Sequence, residues 1–210
     1  MESIDKLLTS IPLFLILYAS YYNNIVGYIL SFCVYIAVCF EFYYNLRKYN
    51  KNIVNYILLG LIWFNSFIYT VIFYNYKIIY NIFIICIVSD STQLLTGKCL
   101  EKYFKYKPFK KISPNKTLIG YLGGMILTFI IIKIFLNFTS FTSFTIIVIY
   151  IFSILGDLLA SKIKRNWDIK DYKINNLALL GPHGGFLDRF DSIILSVPLY
   201  FLWINYVKFS

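Results

Sequence analysis

Charge is scarce in this chain. Only 14% of its 210 residues are Asp, Glu, Lys or Arg, against about 25% in a soluble globular domain. That shortage argues against an ordinary water-facing surface. Acids are rarer still: ten Asp and Glu stand against twenty Lys and Arg, for a net charge of +10. There is one histidine. The four cysteines, Cys33, Cys39, Cys86 and Cys99, include no pair at zinc-ligand spacing, so they read as small buried hydrophobes. No convincing small-x-small cleavage site follows the first apolar run, which begins near Leu7 after Glu2, Asp5 and Lys6. That run therefore reads as a first membrane span rather than a removable signal.

What the chain has instead is apolar length: 59% of its residues are hydrophobic. A helix needs about 20 apolar residues to cross a bilayer. Candidate spans fall at 7–22, 25–44, 53–74, 78–96, 118–137, 143–160 and 190–207. The expected fold is an all-α polytopic bundle of about seven transmembrane helices. A strongly basic soluble protein would raise the question of nucleic acid. Here the bases lie between apolar segments, so topology and anionic headgroups explain them and no nucleic acid is expected. Loops 45–52, 97–117 and 161–189 carry most of the Lys and Arg. With seven spans all three fall on one face, which the positive-inside rule makes cytoplasmic. Asn137-Phe-Thr fits a glycosylation pattern on the opposite face.

The few acids are unevenly placed. Glu2, Asp5, Glu41 and Glu101 read as flanking or loop residues. Asp168, Asp171, Asp188 and Asp191 crowd one basic loop, and Asp90 and Asp157 lie inside apolar spans. A carboxylate in hydrocarbon costs at least about 2.5 kcal/mol unless it faces a partner or a wet cavity. From Asp157, Ser161, Lys164 and Arg165 follow at i+4, i+7 and i+8, on one helical face. Asp188 and Asp191 project from one side of a helix start and repel unless a cation or Arg189 neutralises them. Mg²⁺ takes one or two carboxylates and fills its other positions with water and phosphate oxygens. Asp171 adds a further oxygen ligand, and Lys164, Arg165 and Lys170 add positive charge for phosphate. The set fits metal-assisted chemistry on a nucleoside triphosphate, with one metal or two left open.

Two glycine-bearing segments complete the pattern. Gly184-Gly185 lets backbone approach a ligand, beside His183, which could orient substrate or act as acid and base. Ser113-Pro114-Asn115-Lys116-Thr117 forms a turn opening a helix that carries Gly120, Gly123 and Gly124. Hydroxyls, a lysine and a helix start together favour phosphate, whereas the glycines are explained by close helix packing.

At these residues the chain resembles the CDP-diacylglycerol synthase, or phosphatidate cytidylyltransferase, family. The resemblance rests on Ser161-Lys-Ile-Lys164-Arg165, Lys170-Asp171 and His183-Gly184-Gly185-Phe186-Leu187-Asp188-Arg189-Phe190-Asp191. Gly156-Asp157-Leu158, Ser113-Pro-Asn-Lys116-Thr117, and Asp90 with Gly97-Lys98 precede them in the family's order. The match covers roughly 88–192, so the chain divides into an N-terminal membrane part without motif, 1–87, and a C-terminal catalytic part, 88–210, of one continuous membrane domain.

The resemblance implies that CTP and phosphatidic acid give CDP-diacylglycerol and pyrophosphate in a polar cavity on the cytoplasmic side, in a bacterial inner membrane or an ER-type membrane. It implies Asp171, Asp188, Asp191, Lys170 and His183 as catalytic residues, with Mg²⁺ on Asp157, Asp171, Asp188 and Asp191. Ser113, Lys116, Thr117, Ser161, Lys164, Arg165, Gly184, Gly185 and Arg189 would bind nucleotide and phosphate. A homodimer is compatible with it. Departures are Ile119 and Ala160 where the family usually has Glu, and a longer stretch between Asp171 and His183. They keep open two alternatives: a CTP-dependent transferase acting on another lipid phosphate, of archaeol or polyprenol type, and an inactive relative with an adaptor role.

Overall fold

The computed structural model describes residues 18–19, 21–49, 53–135, 141–172 and 185–209. Every regular element among them is helical. In order they are α1 (Asn24–Tyr49), α2 (Ile53–Phe73), α3 (Tyr76–Leu100), α4 (Leu118–Ile130, continued by a π turn at Ile131–Phe135), α5 (Ser143–Asn166) and α6 (Leu187–Phe209). Helix starts fall where short polar side chains precede apolar runs. Asn75 accepts a hydrogen bond from Lys77 N, Thr117 from Gly120 N and Thr142 from Thr145 N. Each cap satisfies an amide with no partner inside its helix, worth about 1 kcal/mol.

Six of the seven expected spans have a helix in their place. The first, 7–22, lies mostly outside the described residues, as does Asn137. Four helices among the described residues are long and apolar enough to cross a membrane: α1, α3, α5 and the Leu187–Val207 part of α6. The apolar stretches Leu59–Phe73 and Leu118–Ile134 are shorter.

Lipid chains are as apolar as leucine, so helices in a bilayer associate through close packing and hydrogen bonds rather than through the hydrophobic effect. The chain follows that rule. α3 packs along α4, and α5 along α6. On the α3–α4 seam Thr92 and Thr128 share a 2.7 Å hydroxyl contact, and Thr96 Oγ1 donates to Gly120 O at 3.0 Å. A Cβ at Gly120 would stand 3.0 Å from Gln93 O and 3.1 Å from Gly97 Cα, so glycine is what lets these backbones meet. Fully buried rings of Phe42, Phe64, Phe67 and Phe83 fill the centre between α1, α2 and α3.

The basic loops, as far as they are described, share one end of the bundle. Arg165 Nε donates to Ile112 O, and Asn166 Nδ2 to the Tyr56 hydroxyl at the start of α2. The far end carries the Asn205–Tyr74 hydrogen bond and Lys133, whose ammonium donates to Phe141 O. At the basic end α5 stops in a two-bond reverse turn: Asp168 N donates to Arg165 O and Ile169 N to Lys164 O. Asp168 takes the left-handed conformation there, with φ of 55°. Glycine usually fills that place, and aspartate is among the few residues that tolerate it. The turn sends Lys170, Asp171 and Tyr172 back towards the start of α6.

Candidate active site

Two lysines organise the carboxylates at this end. Lys116 leaves the 101–117 loop just before α4 and points inward. Its Nζ lies 2.8 Å from Asp157 Oδ2 on α5 and 3.7 Å from Asp90 Oδ1 on α3. It also donates to Gln93 Oε1 at 3.2 Å. Ser192 Oγ on α6 donates to Asp90 Oδ2 at 3.1 Å. Lys116 therefore ties the loop to α3 and α5, and Ser192 adds α6. Burial works against its charge, but Asp157 and Asp90 outweigh that cost and hold its ammonium above the usual lysine range.

Lys164 makes the second pair. Its Nζ donates to Asp188 Oδ1 at 2.8 Å, while Asp188 Oδ2 accepts from Tyr172 N at 2.9 Å and Gly185 N at 3.2 Å. Asp188 thus clamps the turn after α5 to the first turn of α6. Tyr172 is fully buried beside it, with Lys164 Nζ 5.8 Å from its ring centre. Burial and the Asp188 charge push its phenol well above the usual tyrosine range, so it stays neutral.

Asp191 follows Asp188 by one turn of α6. It is 4% exposed, and its Oδ1 accepts from Ser192 N at 2.7 Å. The helices carrying Asp157 and Asp191 meet at Gly156. A Cβ there would lie 2.6 Å from Asp191 O and 2.8 Å from Ser192 Cα, both backbone atoms that cannot swing aside. Gly156→Ala is expected to cost about 1–3 kcal/mol by overpacking. Because it displaces Asp157 from Asp191, turnover should also fall by up to about a hundredfold. Thermal unfolding and product formation, measured on the same preparation, check both; unchanged values would mean α5 and α6 do not meet there.

The remaining expected residues are less central. Asp171 is half-buried and Lys170 exposed, on the turn whose next amide, Tyr172 N, binds Asp188. Arg165 and Arg189 are exposed, Ser113 is half-buried, and Ser161 is buried on α5. Thr117 is 1% exposed and its hydroxyl serves as the α4 cap. Gly185 donates to Asp188, whereas His183 and Gly184 lie outside the described residues.

One acid was misread from sequence. Glu41 is no flanking residue: it lies within α1, wholly buried, and its Oε2 accepts from Leu187 N at 2.9 Å. It caps α6 from another helix, one residue before Asp188. Glu41→Leu would leave that amide unpaired at about 1–3 kcal/mol, whereas Glu41→Gln keeps an acceptor. Thermal midpoints should rank wild type, then Gln, then Leu; equal midpoints would remove the cap. Asp90, Gln93 and Ser192 were likewise not expected as site residues. The polar run around Asp90 was the available signal.

Whether these residues suit a divalent cation can be tested on their chemistry. Among the described residues, no three acidic, histidine or cysteine side chains close round one point as a preformed cation cage. Counted as ionised, however, Asp90, Asp157, Asp188 and Asp191 exceed Lys116 and Lys164 by two negative charges. Asp90 Oδ1 is buried without a hydrogen-bond partner among the described residues. Hard oxygen donors with surplus negative charge fit Mg²⁺, which needs only one or two carboxylates when phosphate and water complete its shell.

No solved structure matches the chain. The chain is similar to the phosphatidate cytidylyltransferase of Bacillus subtilis strain 168, at 33% identity over 184 residues, covering 84% of this chain and 58% of that protein. It is similar to proteins of that name from Staphylococcus saprophyticus, at 34% identity, and Staphylococcus aureus strain COL, at 35%, each over 123 residues, 56% of this chain and 45% of theirs. The chain thus spans about half the length of the relatives it matches. Its membrane-length apolar helices and its likeness to proteins named for a membrane lipid make it an integral membrane protein. The sequence model of the cytidylyltransferase family matches residues 2–207, nearly the whole chain and all of the charged end, and the chain belongs to the cytidylyltransferase family.

Proposed function

We propose that the chain is a phosphatidate cytidylyltransferase. A phosphate oxygen of phosphatidate attacks the α-phosphorus of CTP. The bond from that phosphorus to the α–β bridging oxygen breaks, and pyrophosphate leaves with its electron pair. CDP-diacylglycerol remains in the bilayer. The observation that carries this reading is the Lys116 ammonium held between Asp157 and Asp90, beside Asp191 and the Lys164–Asp188 pair.

Two anions must meet in this reaction, so most of the work is electrostatic. Lys116 and Lys164 are mostly buried cations already fixed in place, and they would hold phosphate oxygens without reorganising. Arg165, Lys170 and Arg189 offer exposed cations at the mouth of the same end. Asp157, Asp171, Asp188 and Asp191 would hold Mg²⁺, and Asp90, whose Oδ1 has only the long 3.7 Å ion pair to Lys116 among the described residues, joins that set. The metal, when bound, polarises phosphate oxygens and screens the charge between the two substrates. Glu41, Tyr172 and Gly185 fix the start of α6 and so keep Asp188 and Asp191 in register. By the positive-inside rule the site faces the cytoplasm, where CTP is available.

A second reading keeps the chemistry and changes the acceptor to another lipid phosphate. A panel separates them: pyrophosphate release from CTP is measured with phosphatidate, an archaeol phosphate and a polyprenyl phosphate. Phosphatidate should give the highest kcat/KM. A higher value for either other lipid overturns the phosphatidate assignment, and no release with any of them overturns the enzyme reading.

A further inference from the structure

The loop between α3 and α4, residues 101–117, supplies Lys116 to the site, but its outer part plays no role in the chemistry above. That part has an unusual surface. Lys102, Lys105, Lys110 and Lys111 are exposed. Lys107 differs, being paired with Glu101 at 2.9 Å. Between the free cations stand four rings, Tyr103, Phe104, Tyr106 and Phe109, all exposed, Tyr103 at 71%. Aromatic rings interleaved with lysine are costly in plain water. They suit the bilayer interface, where rings sit at headgroup level and ammonium groups meet lipid phosphate.

The backbone of this segment is held in place. Tyr103 N and Phe104 N donate to Leu100 O, Ile112 N and Ser113 N to Phe109 O, and Leu118 N to Tyr106 O at 2.9 Å. The Phe109 ring packs edge-on against Tyr121 of α4, and Ile112 O accepts from Arg165 of α5. The rings and cations are therefore presented by a fixed turn, five residues before the buried lysine of the site. Over the described residues the 45–52 loop pairs a single exposed ring, Tyr49, with Arg47 and Lys48, whereas residues 102–111 set four exposed rings among four exposed lysines.

We infer that residues 102–111 form an interfacial binding surface for anionic phospholipid headgroups, which gathers the acidic lipid beside the site. The surface depends only on the chain's place in the membrane; its role in feeding substrate rests on the reading under Proposed function. An exposed lysine near an anionic leaflet attracts it modestly, and four together amount to strong enrichment that salt screens within about 10 Å at 0.1 M.

The test compares spin-labelled phosphatidate with spin-labelled phosphatidylcholine around the full chain in phosphatidylcholine bilayers. Wild type is set beside the quadruple variants K102Q/K105Q/K110Q/K111Q and K102R/K105R/K110R/K111R. The expected result is a preference for phosphatidate that falls about tenfold in the Gln variant, survives in the Arg variant and shrinks with salt. In the transferase assay the Gln variant should raise the KM for phosphatidate about fivefold or more and leave kcat within about twofold. No phosphatidate preference in wild type, or one unchanged in the Gln variant, overturns the inference, including in favour of an acidic protein as the partner. A wild type that enriches phosphatidate yet forms no product leaves this surface standing and sinks the proposed activity instead.

Discussion

Lys116→Met should abolish measurable turnover, a fall of about a thousandfold, and destabilise the protein by about 3 kcal/mol. Both effects come from one position. The ammonium is 2.8 Å from Asp157 and 3.7 Å from Asp90, and methionine fills its volume without its charge. Two acids then face each other inside the bundle with only Ser192 and the protein's dipoles to help them. Breaking a buried pair by removing one partner typically costs 3–5 kcal/mol. The lower end applies because the Asp90 side chain is 35% exposed. The two losses can be separated. Adding Asp90→Asn and Asp157→Asn to the Lys116→Met chain removes the stranded charges, so the thermal midpoint should recover while activity does not. If Lys116→Met keeps its activity, the lysine does not hold phosphate. If the triple variant stays as unstable as the single one, the destabilisation is not electrostatic.

Asp188→Asn is the second large effect. One carboxylate receives three bonds here: Lys164 on one oxygen, Tyr172 N and Gly185 N on the other. An asparagine has one acceptor oxygen and one amide group that only donates. It must point donor hydrogens either at the Lys164 ammonium or at two backbone N–H groups. The cost is about 1.5–3 kcal/mol, the range for hydrogen bonds to a charged group. Turnover should drop by about a hundredfold to a thousandfold, since Lys164 is released from its place. Thermal unfolding and kcat/KM of the purified variant check this, with a Lys164→Met, Asp188→Asn double variant alongside. Should the double variant lose no more activity than either single one, the pair acts as a unit. Undiminished activity in Asp188→Asn would remove it from the site.

Much of the architecture was readable from residue order. Apolar length placed six of the described helices, four of them long and apolar enough to cross a bilayer. The Ser113–Thr117 turn marked the start of α4 by local chemistry, and Thr117 caps it. The Lys and Arg of the loops met at one end because topology alternates. What could not be read was which acid meets which base. Asp157 was expected on the face of Ser161 and Lys164, yet its ion-pair partner is Lys116, over forty positions earlier. Lys164 turns instead to Asp188. Such pairings depend on how α3, α4, α5 and α6 dock, and no periodicity encodes that. Glu41 shows the same limit: among Phe40, Phe42, Tyr43 and Tyr44 it looked like a span-edge acid. Its purpose, capping α6, exists only once α1 and α6 touch. The π turn at Ile131–Phe135, in an apolar run broken by Lys133, likewise had no signal in the periodicity.

Label tracing follows the α-phosphorus from CTP to lipid. Purified full-length chain in phosphatidate-containing bilayers with Mg²⁺ is given CTP labelled at the α-phosphorus or, separately, at the γ-phosphorus, with Lys116→Met as control. The expected result is α-label in a CDP-lipid and γ-label in pyrophosphate, in equal amounts, and neither with the variant. Label from the γ position on lipid, or no labelled product from correctly folded wild type, would contradict it.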